Sequence, residues 1–331
     1  MKRFSSLLLL AALAGTLGLL HWLVRNDVYG DFPEPVFVDI PHGTSSWSVG
    51  ERLAKAGVLR NPLLYQFSRL TRPGAGAKAG EYRFTQAATP AQVFARLASG
   101  DSFHLDVVVP EGSTMFDIAN SVERVGIGSA ADFLREARSP DLIRDISPSA
   151  RSLEGYLFPA TYRFPRKATV ADVCRAMTAQ FRRVRTELAL EGDPNKTVTL
   201  ASMVEREAKL PAERPRIAGV YAARLREGMK LDCDPTVIYA ALLDDRWTGS
   251  IRRSDLESTN RYNTYTNPGL PPGPIANPGR DSLRAALHPL ETEDLYFVAA
   301  PGATGAHVFS KDLATHDKAV SSYRRDQRRR K

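Results

Sequence analysis

The sequence has few cysteines. Only two of its 331 residues, Cys174 and Cys233, are cysteines, and neither has a second cysteine at CxxC spacing. This excludes a disulfide-rich scaffold and a cysteine-based zinc site. The two thiols could pair in an oxidising compartment. However, the amphipathic pattern around Cys174 predicts a buried apolar position. We therefore expect no metal site and no required disulfide.

The sequence also lacks the motifs of nucleic-acid-binding and nucleotide-binding proteins. It has no zinc-finger spacing, no aromatic RNA-binding motif and no phosphate-binding glycine loop. The net charge is +8, and much of it is local, in the tail after Arg324. A solvated basic tail accounts for that run. We expect no nucleic-acid partner and no cofactor.

The N-terminus carries a long uncharged apolar run. Residues 6–24 contain no charged side chain, and Lys2 and Arg3 precede them. The run is near the ~20 residues that cross a bilayer and exceeds the ~7–15 of a signal-peptide core. The positive charges favour a cytoplasmic N-terminus. We predict an uncleaved inner-membrane anchor with the rest of the chain in the periplasm. Cleavage near residues 11–15 is the alternative.

An internal repeat follows a short linker. Residues 40–58 match residues 109–127, and six pairs share one offset of 69 residues: Pro41/Pro110, Gly43/Gly112, Trp47/Phe116, Val49/Ile118, Leu53/Val122 and Gly57/Gly126. Each copy predicts a strand, a Pro-x-Gly turn and a helix that ends at glycine. This pattern resembles the start of a LysM module, which binds N-acetylglucosamine polymers. A plain α+β packing domain is the alternative.

The second half of the chain is richer in helices and in Pro/Gly loops. Helical periodicity covers 170–190, 198–210, 215–227, 235–242, 281–287 and 312–324, and strands are predicted at 295–299 and 308–310. The fold class is therefore α+β. We divide the chain into an anchor (1–25), a linker (26–35), a LysM-like α+β subdomain (36–150), a C-terminal domain (151–325) and a basic tail (326–331).

Several dense motifs resemble the endolytic murein transglycosylases, the YceG-like family. They cover most of the chain: 152–159, 200–207, 217–225, 234–239, 262–265, 269–275 and 295–299. The resemblance implies a glycan-cleaving enzyme with one anchor, a LysM-like subdomain and a catalytic domain. Its substrate would be peptidoglycan. The enzyme would cleave nascent strands beside cell-wall synthases. A hydrolase of the same glycan and a non-catalytic glycan-binding scaffold are the alternatives.

The family resemblance also implies the catalytic acid. The family motif places it at Glu205, the first of two acids in Val204-Glu-Arg-Glu207. Helical geometry alone does not choose between Glu205 and Glu207, and the face of Glu207 is the more apolar. Glu207 is therefore the alternative. One carboxylic acid suffices if it protonates the glycosidic oxygen and then deprotonates the C6 hydroxyl of the same muramic acid.

Other polar and aromatic residues are weaker candidates. We expect Asn263 to donate to the substrate or to Glu205, and Tyr262, Tyr265 and Tyr239 to stack on sugar rings or pack in the core. Glu154 is a possible second polar group in the cleft or a turn residue. Asp234 is predicted to cap the helix 235–242. Two positions depart from the family pattern: Ala160, where the family usually has Asp, and Asp232, where it usually has Gln.

Overall fold

The computed structural model describes residues 2–330, with side chains from residue 8 onward. The chain forms two compact units, Met1–Leu105 and Asp106–Lys331. The predicted boundary between the LysM-like subdomain and the domain that follows it is at residue 150, whereas the first compact unit ends at Leu105. Helices and short strands alternate in both units, so the mixed α+β prediction is confirmed.

The first unit begins with the predicted apolar helix. Helix α1 spans Lys2–Asn26, and its segment Leu8–Asn26 is long and apolar enough to cross a membrane. Most of its large side chains are exposed, including Leu9 at 74% and Trp22 at 57%. An exposed apolar surface of this kind needs an apolar environment, which is compatible with a membrane span or a signal sequence.

The rest of the first unit is a small α+β core. Its elements are β1 (Val36–Ile40), α2 (Ser46–Lys55), α3 (Pro62–Leu70), β2 (Gly80–Phe84) and α4 (Pro90–Ser99). Strands β1 and β2 pair antiparallel, with Val36 opposite Phe84 and Ile40 opposite Gly80. The alternate residues Val38 and Ile40 point into a buried cluster with Leu53, Tyr82 and Phe94.

The remaining elements lie in the second unit, apart from Leu105, which ends the first unit and starts β3. They are β3 (Leu105–Val108), α5 (Met115–Val125), α6 (Ala130–Ala137), β4 (Thr161–Phe164), α7 (Val170–Glu187), α8 (Asn195–Glu207), α9 (Arg214–Arg226), α10 (Asp234–Leu243), α11 (Arg253–Leu256), α12 (Arg280–Leu287), β5 (Tyr296–Ala299), β6 (His307–Ser310) and α13 (Leu313–Arg330). Strand β3 pairs with β4, and β5 pairs antiparallel with β6. Helix α8 packs against α9, α10 and α12. Helix α13 continues through the predicted basic tail.

The two repeat copies have the same order of elements. Each runs strand, helix, helix, paired strand: β1-α2-α3-β2 and β3-α5-α6-β4. Ser45 and Thr114 cap the first helix of each copy, and both Gly43 and Gly112 have φ of 77°. The second copy carries a long segment, 138–160, before its return strand. The LysM likeness stays an expectation, as does the superposition of 36–58 on 105–127.

Gly155 lies in that long segment and needs both its left-handed backbone and its missing side chain. Its φ is 86°, and a Cβ there would lie 2.4 Å from Pro274 Cγ and 2.8 Å from Val198 Cγ1. The Gly155 backbone therefore packs directly between α8 and the loop of residues 269–279, which we call the Pro-Gly loop.

We predict that Gly155→Ala destabilises the second unit by about 2–4 kcal/mol, since the left-handed conformation and the clash both cost free energy. Gly192→Ala is the matched control, because Gly192 has φ of 63° and open space around it. The control should cost only ~1 kcal/mol. Thermal melting compares the two variants, and equal losses would show that the close approach at Gly155 is unimportant.

Candidate active site

The two acids of α8 project to different sides of the helix. Residues two apart on an α-helix are separated by roughly 200° around its axis. The preceding turns of α8 are buried from Val198 to Val204. The helix therefore runs through the centre of the second unit and delivers Glu205 and Glu207 to two distinct environments at its C-terminal end.

Glu205 is fixed in a polar cluster. Its Oε2 accepts from the backbone N–H of Gly279 at 2.9 Å, and its Oε1 pairs with Arg214 Nη2 at 3.2 Å. The side chains of Glu205 and Arg214 are only 6% and 11% exposed. Both contacts are made to a carboxylate, so the protonation that a general acid requires would weaken both.

A second carboxyl completes this cluster. Glu111 Oε2 lies 3.8 Å from Arg214 Nη2. Burial, and next the negative charge of Glu205, raise the pKa of Glu111. A Cβ on Gly279 would lie 2.0 Å from Glu111 Oε1, so any larger residue there would displace the Glu111 carboxyl. Arg214 thus bridges two carboxyls, and Glu205 joins the Pro-Gly loop to α8 through the Gly279 N–H.

Glu207 lines a large cavity on the other side. This space, the Glu207 cavity, has a volume of about 720 Å³, and its walls include Arg206, Glu207, Asp234, Tyr265, Tyr296 and His307. Burial raises the pKa of Glu207, against an opposing contribution from the Cys233 thiol, which donates to Oε1 at 3.4 Å. No described residue forms an ion pair with Glu207. Its environment thus favours a proton-holding carboxyl.

Further polar groups lie in and around the wall of the Glu207 cavity. The Tyr265 hydroxyl donates to Asp234 Oδ1 at 2.7 Å, and Lys230 Nζ donates to the Tyr265 carbonyl at 2.9 Å. His307 Nδ1 lies 2.8 Å from Glu213 Oε2. The prediction that Asp234 caps α10 is wrong by one residue: the N-cap is Cys233, and the Asp234 carboxylate binds Tyr265 instead.

Glu154 is a buried organiser of the site. Its carboxyl oxygens accept from Met115 N at 3.1 and 2.9 Å, and Oε1 accepts from Asn277 Nδ2 at 2.7 Å. The Tyr239 hydroxyl bonds to the same carboxyl. Burial raises the pKa of Glu154 to about 8. Glu154 is only 1% exposed, so it holds its neighbours together in the interior and does not face a substrate.

Asn277 connects three segments of chain. Its Oδ1 accepts from Gly155 N at 2.8 Å and Leu157 N at 2.9 Å, and its Nδ2 also donates to the Ser113 carbonyl at 2.9 Å. The backbone adds a reciprocal pair, Gly112 N to Asn277 O and Asn277 N to Ser113 O, both at 2.9 Å. The turn before α5, the 154–157 segment and the Pro-Gly loop are therefore one rigid assembly.

Asn263 and Tyr262 hold the neighbouring loop. Asn263 is fully buried, and its amide donates to the carbonyls of Leu256 at 2.9 Å and Ser258 at 2.8 Å. These bonds occupy the amide hydrogens, which leaves Asn263 no free donor for a substrate or for Glu205. The Tyr262 ring packs on Tyr239 with centroids 5.1 Å apart. Of Asn263, Tyr262, Tyr265, Tyr239 and Glu154, only Tyr265 lines the Glu207 cavity.

Several residues of the site were not singled out from the sequence. They are Glu111, Arg214, Asn277, Gly279 and Ser202, whose Oγ accepts from Ile275 N at 3.0 Å. The Asn-Pro-Gly sequence at 277–279, the end of the Pro-Gly loop, is the one sequence signal that could have pointed to Asn277 and Gly279. Arg214 and Glu111 are ordinary charged residues in sequence, and only their meeting at Glu205 distinguishes them.

Cys174 and Cys233 are both free and buried. Within residues 2–330, no group of three or more His, Cys, Asp or Glu side chains is placed to hold a metal ion.

The raised pKa of Glu154 predicts a pH-dependent stability. Its protonated form is favoured in the folded state, so its contribution is complete below the ordinary pKa of 4.5 and is lost as the pH rises toward about 8. We expect the melting temperature to fall less between about pH 5 and about pH 8 in Glu154→Gln than in the parent. Exposed Glu291→Gln is the control. An unchanged pH dependence in Glu154→Gln would contradict this account.

Comparisons with known proteins agree with these motifs. The model of the YceG-like family matches residues 38–322. A Bacillus subtilis protein named endolytic murein transglycosylase is 34% identical over 90% of this chain and 87% of its own length. A Streptococcus pneumoniae protein of the same name is 27% identical over 87% of this chain, which spans 58% of that relative.

A solved structure extends the similarity to the fold. A yceG-like protein from Listeria monocytogenes matches 86% of this chain and 99% of its own, with a TM-score of 0.55 and 31% identity. The sequence motifs, the family model and these relatives agree over most of the chain. The chain belongs to the YceG-like family.

Proposed function

We propose that this protein is an endolytic murein transglycosylase that uses Glu207 as its acid and base. The observation that carries the proposal is the position of Glu207, a carboxyl with a raised pKa in the wall of a cavity of about 720 Å³. The names of the Bacillus and Streptococcus relatives support the reaction. The volume of the cavity falls within the range of common ligand sites, so it is large enough for sugar rings.

Glu207 fits the chemical task better than Glu205, the residue that the family motif favoured. A general acid needs a proton to give and open space for its substrate. Burial favours the protonated form of Glu207, whereas Glu205 is held by Arg214 and the Gly279 N–H. We therefore assign Glu205 the structural task of joining α8 to α9 and the Pro-Gly loop.

The reaction needs one carboxyl in two steps. Glu207 gives its proton to the oxygen between C1 of N-acetylmuramic acid and C4 of N-acetylglucosamine, and the C1–O bond breaks to leave a C4 hydroxyl. The carboxylate then takes the proton of the C6 hydroxyl of the same muramic acid, and O6 bonds to C1. The product is a 1,6-anhydro end, Glu207 regains its proton, and no water is consumed.

An internal nucleophile explains why one carboxyl suffices. The C6 hydroxyl belongs to the sugar under attack, and such intramolecular groups reach effective molarities of roughly 10⁵ M or more. Glycosidases that activate water or form a covalent intermediate need a second acid. Asp234, another carboxylate of the cavity wall, already accepts from the Tyr265 hydroxyl at 2.7 Å. We assign that pair to binding a sugar.

The apolar N-terminal helix supports a membrane location. We propose that α1 anchors the enzyme with Lys2 and Arg3 in the cytoplasm and the second unit in the periplasm, next to nascent strands and their synthases. A reporter that works only in the periplasm, fused after Lys331, should be active. Activity of a cytoplasm-only reporter at the same point would contradict this topology.

The decisive test compares conservative variants of the two acids. Glu207→Gln keeps the shape but loses the transferable proton, so anhydro-end formation should fall by about 10²–10⁴-fold with the melting temperature maintained. Glu205→Gln should instead keep most of the activity. It should lower the free energy of unfolding by about 1–3 kcal/mol, because it weakens a nearly buried ion pair, and so melt at a lower temperature. Mass spectrometry of digested glycan and thermal melting give both readouts.

The opposite pattern would return the assignment to Glu205. A folded, inactive Glu205→Gln beside an active Glu207→Gln would show that the family motif was aligned correctly at the first acid. New reducing ends in place of anhydro ends would identify a hydrolase, and glycan binding without any new ends would identify a scaffold.

A further inference from the structure

A buried thiol stands behind the Glu207 carboxyl. Cys233 Sγ donates to Glu207 Oε1 at 3.4 Å, and Cys233 is 1% exposed. Its backbone is fixed on both sides: the Cys233 amide donates to Thr264 Oγ1 at 3.0 Å, and its carbonyl accepts from Thr236 Oγ1 at 2.6 Å. The sulfur therefore contacts the acid from a rigid position and away from solvent.

The thiol remains a donor at neutral pH. Burial, and next the charge of Glu207, raise the pKa of Cys233 well above its ordinary value. The Tyr221 hydroxyl is buried beside the sulfur and has no other hydrogen-bond partner within the part of the chain that the structure describes. A protonated thiol is a weak donor, weaker than a hydroxyl. It can orient a carboxyl while favouring the carboxylate only slightly.

We propose that Cys233 is a positioning residue, whose thiol orients the Glu207 carboxyl toward the cavity and leaves it able to hold a proton. This inference rests on the proposed role of Glu207. A thiol suits the position because the carboxyl must give its proton in the first step and take one in the second. A strong donor would stabilise the carboxylate and oppose the first step.

The other charged groups around Glu207 come from different elements. Arg206 lies on α8, Asp234 on α10 and His307 on β6, and each contributes electrostatically to Glu207. None of them is altered by a substitution at Cys233. A change in the titration of Glu207 in a Cys233 variant therefore reports the sulfur contact.

The test measures the pH dependence of kcat/KM for Cys233→Ser and Cys233→Ala. The alkaline limb reports deprotonation of Glu207 in the free enzyme. The serine hydroxyl is a stronger donor, so this limb should move down by about half a pH unit, whereas alanine removes the donor and should move it up by a similar amount. In Cys233→Ala, kcat should fall about 10-fold with KM within about twofold, since orientation is lost. Serine should restore most of that kcat.

Cys174→Ser is the matched control, because Cys174 is an equally buried free thiol on α7. Its alkaline limb should equal that of the parent. Cys233→Thr provides a second hydroxyl if the serine variant melts early, and it should give the same downward shift. Limbs of the Cys233 variants that coincide with that of Cys174→Ser would reduce Cys233 to a packing residue and overturn the inference.

Glu207→Gln in the same assay separates the two levels of failure. If Glu207→Gln is active, the proposed catalytic role of Glu207 fails, and the positioning role fails with it. If it is inactive while the Cys233 variants keep the parental limb, only the positioning role fails.

Discussion

The site depends on the side chain of Asn277. One amide joins the turn before α5, the 154–157 segment and the Pro-Gly loop through four hydrogen bonds, to Gly155, Leu157, Ser113 and Glu154. The group is fully buried, so each bond forms where water offers no substitute. The Pro-Gly loop, held in this way, presents Gly279 to Glu205 and Ile275 to Ser202, so two contacts in the C-terminal half of α8 follow from this one residue.

The two acids of α8 divide the tasks that a single catalytic helix must perform. Glu205 binds Arg214 and the Gly279 N–H and so fixes the end of the helix. Glu207, on the other side, contacts a neutral thiol and an open cavity. A rigid ion-paired carboxylate and a proton-holding carboxyl have opposite requirements, and the near half-turn between the residues lets one helix satisfy both.

The helices and strands were largely predictable, because hydrophobic periodicity and glycine stops specify them locally. Helix α9 at Arg214–Arg226 and strand β5 at Tyr296–Ala299 lie within one residue of their predicted starts and ends. The family was also predicted correctly from its motifs. The environments of the two acids were not predictable, since Arg214, Gly279 and Cys233 meet them only in three dimensions. The same holds for Asn263, which we expected to donate to the substrate or to Glu205. Its amide hydrogens bond to the backbone carbonyls of Leu256 and Ser258, which the sequence does not reveal.

The central claim is that a hydroxyl of the sugar, in place of water, attacks the carbon that Glu207 activates. Digestion of purified glycan in water enriched in heavy oxygen tests this most directly, with mass spectrometry of the new chain ends. The account predicts anhydro ends that carry no heavy oxygen, because no water enters the product. New reducing ends that contain heavy oxygen would contradict it and would identify a water-activating hydrolase.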